Sequence, residues 1–153
     1  MRFVNGWAML RGAPLLVAAV LLAELIIPVS VQARVTCAAR DSAGHSVGTV
    51  SAGFLGKVWD HSGAQVGQFG RTDDTLFVFT QSGRFLGFVK RVSRTCFVVL
   101  PRSGAVPQGR AIRWARTWVV QKRAHGQLHT KGTVSGRASG WAAGAALRVL
   151  LWK

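Results

Sequence analysis

The sequence predicts an all-β protein in which about four short β-hairpin repeats of roughly 20 residues pack in a closed ring or small barrel, followed by a basic C-terminal extension. Three observations predict it. First, a glycine-centred motif recurs. Asp41-Ser-Ala-Gly44-His-Ser-Val-Gly48 matches Asp60-His-Ser-Gly63-Ala-Gln-Val-Gly67 and, more loosely, Thr80-Gln-Ser-Gly83-Arg-Phe-Leu-Gly87, with a fainter copy at Pro101-Arg-Ser-Gly104. Second, the anchoring glycines are 19, 20 and 21 residues apart, so the copies keep a near-constant period. Third, the runs between them are β-branched or aromatic, four to six residues long and bounded by Gly or Ser, with no competing helical period.

Ahead of the repeats, residues 1–33 read as an export signal. Arg2 and Arg11 supply the positive start, residues 15–23 are a short apolar run, Pro28 breaks any helix, and Val31 and Ala33 offer small residues for cleavage. The apolar stretch 15–27 already carries Glu24 and falls short of the roughly 20 residues that a membrane-spanning helix needs. The expected product is residues 34–153, one domain located in the periplasm or outside the cell. It divides into a hairpin domain at 34–108 and a basic extension at 109–153.

Each repeat has the chemistry of a hairpin. Asp or Thr opens the turn and can bond back to its amides, and the Gly three residues later adopts the left-handed conformation cheaply. A second glycine, at Gly48, Gly67 and Gly87, falls inside the returning strand, where it marks a bulge or a close backbone approach. The hairpins are therefore expected to crowd around a common axis.

The only two cysteines, Cys37 and Cys96, precede Gly44 and Gly104 by seven and eight residues, nearly equivalent places in the first and fourth units. In an oxidising compartment such a pair reads as a disulfide. It would close a loop of about 60 residues, contribute about 4 kcal/mol, and hold a ring of four units shut.

The run from Val58 to Phe69 (VWDHSGAQVGQF) and that from Phe77 to Val89 (FVFTQSGRFLGFV) resemble the units of the four-fold β-flower proteins of bacteria. In those proteins short hairpins repeat about a pseudo-four-fold axis. The resemblance covers about half of residues 34–153 and implies a fold without a known activity. Leu55-Gly-Lys-Val-Trp-Asp-His-Ser-Gly63 with Gly83-Arg-Phe-Leu-Gly87 is also similar to the PRC-barrel modules, which implies a protein-interaction adaptor.

Charge is unevenly spread. Residues 34–101 hold 8 Lys/Arg and 4 Asp, whereas 102–153 hold 10 Lys/Arg and no acid. Such a surplus attracts polyanions. Arg110, Arg113 and Arg116 interleave with Trp114 and Trp118, followed by Lys122 and Arg123; these seven are the candidate anion-binding residues. Guanidinium groups grip phosphate bidentately, while indoles stack on bases or sit at a lipid interface. The plainer reading makes the tryptophans core. Residues 109–118 read equally as strand or helix, and 119–128 as a fifth, degenerate hairpin. Residues 129–140 read as a loop, and 141–152 as a docking strand or a short terminal helix.

Enzyme chemistry is not indicated. Asp41 and Asp60 are explained by turns, Asp73 and Asp74 are adjacent in an expected loop, and His125 with His129 lacks a third zinc ligand. No cofactor motif is present. The expectation is an exported, non-catalytic binding or structural module that engages an anionic envelope polymer or lipid surface. Export makes nucleic acid a poor partner, and the PRC-like adaptor is the alternative.

Overall fold

The computed structural model describes residues 35–53 and 55–152; the expected export signal at 1–33 lies outside the described residues. Ten strands close into one antiparallel barrel. They are β1 (Thr36–Asp41), β2 (Ser46–Ser51), β3 (Leu55–Asp60), β4 (Gln65–Thr72), β5 (Thr75–Thr80), β6 (Phe85–Arg91), β7 (Cys96–Pro101), β8 (Gly109–Trp114), β9 (Thr117–Ala124) and β10 (Gln127–Val134). One helix, α1 (Gly140–Leu150), follows. β1 pairs with β10, which closes the barrel and leaves no sheet edge.

The all-β class and the closed barrel are as the sequence predicts, but the ring has five hairpins instead of four. Turns centred on Gly44, Gly63, Gly83, Gly104 and Gly126 join β1 to β2, β3 to β4, β5 to β6, β7 to β8 and β9 to β10. Register makes the five units equivalent. Gly48, Gly67, Gly87, Gly109 and Gly132 on the returning strands face Ala39, Val58, Val78, Val99 and Val120 within their own hairpins. On the other side the same glycines face Asp60, Thr80, Pro101, Lys122 and Asp41 of the next hairpin.

Close approach explains why this position is glycine. A Cβ on Gly109 would come within 2.8 Å of the Gln121 carbonyl oxygen, and one on Gly67 within 2.9 Å of Val149. The glycine ring thus seats both the neighbouring hairpin and the end of α1.

Residues 109–152 are no extension: β8, β9 and β10 complete the wall, and α1 fills it. Eight barrel strands give an interior that side chains alone can pack, and ten leave more room than that. Here the filler is a helix. Gly140, Trp141, Ala142, Ala143, Gly144, Ala145, Ala146 and Leu147 are all buried, as expected of a helix enclosed on every side. Small residues let the wall close in: a Cβ on Gly144 would sit 2.6 Å from Val89. Inward residues Val50, Val58, Leu76, Val78, Val89, Val99, Val120 and Val134 are fully buried around it. Each such side chain contributes roughly 1.5–3 kcal/mol relative to exposure.

The cysteines require a second correction. Cys37 points into the lumen from β1, whereas Cys96 opens β7 on the opposite face of the wall from buried Phe97. β8, β9 and β10 stand between their strands on one side of the ring, and both residues are free thiols. The position equivalent to Cys37 is Phe97, seven before its turn glycine. A slip of one residue along a strand exchanges inside for outside. Burial pushes the Cys37 thiol above its ordinary pKa.

Candidate functional site

The barrel has two unlike mouths. The turn end carries the five hairpin turns. The entry end carries the connections between hairpins, and it is there that β1 begins and α1 enters the lumen.

Local chemistry closes the turn end tightly. The Asp41 carboxylate accepts from the amides of Ala43 (3.0 Å) and His45 (2.9 Å). Asp60 accepts from the amides of Ser62 (2.9 Å) and Ala64 (3.1 Å) and from the Ser62 hydroxyl (2.6 Å). These bonds hold both carboxyls below their usual pKa, the His45 amide having the largest effect on Asp41 and the Ser62 hydroxyl on Asp60. At the third turn the Thr80 hydroxyl accepts from the Arg84 amide at 3.0 Å. Several cations here also have partners. Arg40 donates to the Gly44 carbonyl, and Lys122 Nζ donates to that of Trp152 at 2.5 Å. Arg148 donates to the Leu86 carbonyl through Nε (3.2 Å) and Nη2 (2.9 Å). Burial, and then the charge of Arg84, push the Arg148 pKa below its ordinary value. Its guanidinium lies 4.5 Å from the centroid of the Trp152 ring.

The lumen at the entry end is sealed by aromatic rings. Phe97 packs edge-on against Trp118 and Trp141, with centroids 5.4 and 4.9 Å apart. Trp118 Nε1 donates to the Ala138 carbonyl at 2.9 Å, and the Arg71 guanidinium covers Trp141 at 5.5 Å. Ser139 caps α1 by accepting from the Ala142 amide at 3.2 Å.

Outside this seal the rim is both basic and apolar. Among the described residues, Arg71, Lys90, Arg91, Arg94, Arg113, Arg116 and Arg137 are exposed there, against Asp73 and Asp74. Arg113 Nε makes a long bond to the Ala115 carbonyl at 3.3 Å. The side chains of Lys90, Arg91, Arg94, Arg116 and Arg137 have no hydrogen-bond or ion-pair partner among the described residues. Between them stand Val35 (53% exposed), Leu55 (76%), Val92 (65%) and Trp114 (76%). The remaining large exposed apolar residue, Val106, belongs to the β7–β8 connection at the turn end.

The seven residues singled out in the sequence do not form one patch. Arg113, Trp114 and Arg116 meet at the β8–β9 connection on the entry rim. Trp118 is core. Lys122 and the exposed Arg123 lie toward the turn end, and Arg110 lies on the outer wall. Arg110 Nε donates to Gln121 Oε1 at 2.7 Å, and Gln121 in turn reaches Thr130. Composition of the C-terminal third missed the cations that β4, β6 and the β6–β7 connection bring to the same rim. Their signal was the repeat itself: residues midway between two turn glycines, such as Leu55, Val92 and Trp114, must reach the opposite mouth.

Among the described residues no group of three or more His, Cys, Asp or Glu side chains is placed to hold a metal ion. Comparison of the chain with protein-family models, with curated proteins and with solved structures finds no match.

Proposed function

We propose that the protein is an exported, non-catalytic binding or structural module whose entry end engages a polyanionic partner of the cell envelope. The observation that carries this reading is the set of unpartnered cations on the entry rim. Cations without local partners keep their full field for a ligand, and a surface of one sign raises the local concentration of the opposite charge. The filled lumen supports a ligand held on the surface over one enclosed by the barrel.

The inside-out distribution of polarity supports a barrel that does not itself span a membrane. Its inner wall is apolar, whereas Lys57, Gln68, Arg110 and Gln121 occupy the outer face of mid-barrel strands. Membrane barrels reverse that order, and their strands run to about 9–11 residues, against 6 to 8 here.

The test is binding of a soluble polyanion such as polyphosphate across a salt series. Affinity should fall steeply with salt, and the triple variant Arg94→Gln, Arg113→Gln, Arg116→Gln should weaken it and flatten the slope without lowering the melting temperature. Binding indifferent to both salt and the triple variant overturns the reading.

A protein-interaction adaptor, the reading that the PRC-like motifs suggest, has one observation in its favour. Phe77, Phe79, Phe85 and Phe88 form a half-buried cluster on the outside of β5 and β6, with Phe85 and Phe88 4.8 Å apart.

A further inference from the structure

We infer that the entry end is a docking face for an anionic bilayer, on which Leu55, Val92 and Trp114 enter the headgroup layer while the arginines around them meet lipid phosphates. This rests on the polyanion reading above and names its partner.

Scattered exposed apolar side chains are ordinary on a soluble protein. Here they are not scattered: among the described residues, four of the five large ones stand on a single mouth. They come from the residue before β1, the first residue of β3, the β6–β7 connection and the last residue of β8, so they are distributed round the rim. A peptide in a groove would touch one or two of them. A broad, level partner meets them all, and a bilayer surface has that form. The chemistry of each tip agrees. Tryptophan favours the interface between water and hydrocarbon, and Leu and Val favour the first acyl carbons beneath it.

Arg113 and Arg116 flank Trp114 in sequence, and Arg91 and Arg94 flank Val92. Each apolar tip thus arrives with cations beside it at the level of the phosphates. Near an anionic leaflet each such cation strengthens binding by about fivefold. Backbone geometry helps to present the largest tip. Ala115 holds a left-handed conformation, φ 52°, which a residue with a Cβ adopts at a cost, and it turns the chain directly after Trp114.

The experiment is cosedimentation of the full chain with vesicles of phosphatidylcholine, with and without a minor fraction of phosphatidylglycerol, read beside binding of soluble polyphosphate. The tip variant Leu55→Ser, Val92→Ser, Trp114→Ser is compared in the same background, so any contribution of residues 1–33 is common to both proteins. We expect the tip variant to lose at least about tenfold in affinity for the anionic vesicles, as loss of three buried apolar groups implies, while polyphosphate binding and melting temperature hold. We also expect brominated lipid to quench tryptophan emission in the wild type, and the Trp114→Phe variant to lose most of that quenching. Equal binding of both proteins to anionic vesicles, or quenching unchanged by Trp114→Phe, overturns membrane docking. Polyphosphate binding that survives this result leaves the polyanion reading standing with a polymer as its partner. Absence of binding to either probe overturns both.

Discussion

At the turn end, Asp41, Asp60 and Thr80 fold their side chains back onto the amides of their own turns, and Arg40, Lys122 and Arg148 donate hydrogen bonds to nearby carbonyls. At the entry end, Trp114, Leu55 and Val92 stand in solvent beside cations without partners. One repeat builds both mouths, yet the turn end engages its carboxylates in local structure and leaves Arg84, Arg102 and Arg123 exposed without an apolar cluster, while the entry end sets its free cations among four exposed apolar side chains. The difference teaches that recurrence of the motif marks scaffold, and that function is to be sought where the units diverge. Of the three non-glycine residues with left-handed backbone among the described residues, Asp73 and Ala115 sit at the entry end and His125 at the turn end.

Two tryptophans four residues apart give the largest test of that comparison. Trp118→Ala should destabilise the barrel by about 3–5 kcal/mol in urea unfolding, because it empties the ring cluster beneath the rim. Trp114→Ala should change stability by no more than about 0.5 kcal/mol. Comparable losses at both sites would mean that the rim is as structural as the core. Ser139→Ala comes next. It removes the cap of the enclosed helix and should cost about 1 kcal/mol, measured the same way.

Ala115→Gly should act in the opposite direction. It relieves a left-handed alanine worth about 1 kcal/mol, and a stabilised variant that binds anionic vesicles less tightly would tie the strained turn to presentation of Trp114. The smallest effect belongs to the turn end. Asp41 and Asp60 have folded pKa values below their unfolded ones, so their contribution is present above the unfolded value and is lost as pH falls through the folded one. Melting temperature should therefore decline as acid is added below about pH 4, and the Asp41→Asn, Asp60→Asn pair should blunt that decline. An unaltered acid profile would mean that those turns are held by their backbone bonds alone.

The hairpins were readable because turn glycines and Asp or Thr openers act locally, within five residues. What was not readable depended on register or on distant partners. The fifth unit was faint because its strand glycine, Gly132, lies six residues after its turn glycine where the first three units have four, and its turn, with His125 and Gly126 both at positive φ, has a different form. Residues 129–134 resembled a loop because polar residues and Gly132 leave the segment without an apolar alternation before Val134. They become strand because β1 and β9 both need a partner. Cys37 and Cys96 were paired on near-equal spacing, and one residue of offset put them on opposite faces. Trp118 belonged to the core, as the plainer reading had it. The enclosed helix had a signal that went unused: the apolar run Trp141–Leu147 lacks any polar face, which suits a helix surrounded on all sides.

The helix at the centre of the barrel is also the last of the described elements to leave the ribosome. Until it emerges, the inward valines of all five hairpins face an empty space too wide for them to fill. The wall therefore cannot settle early in synthesis, and native packing waits on residues 140–150. Completion of the fold is in this sense timed by the position of its core in the sequence.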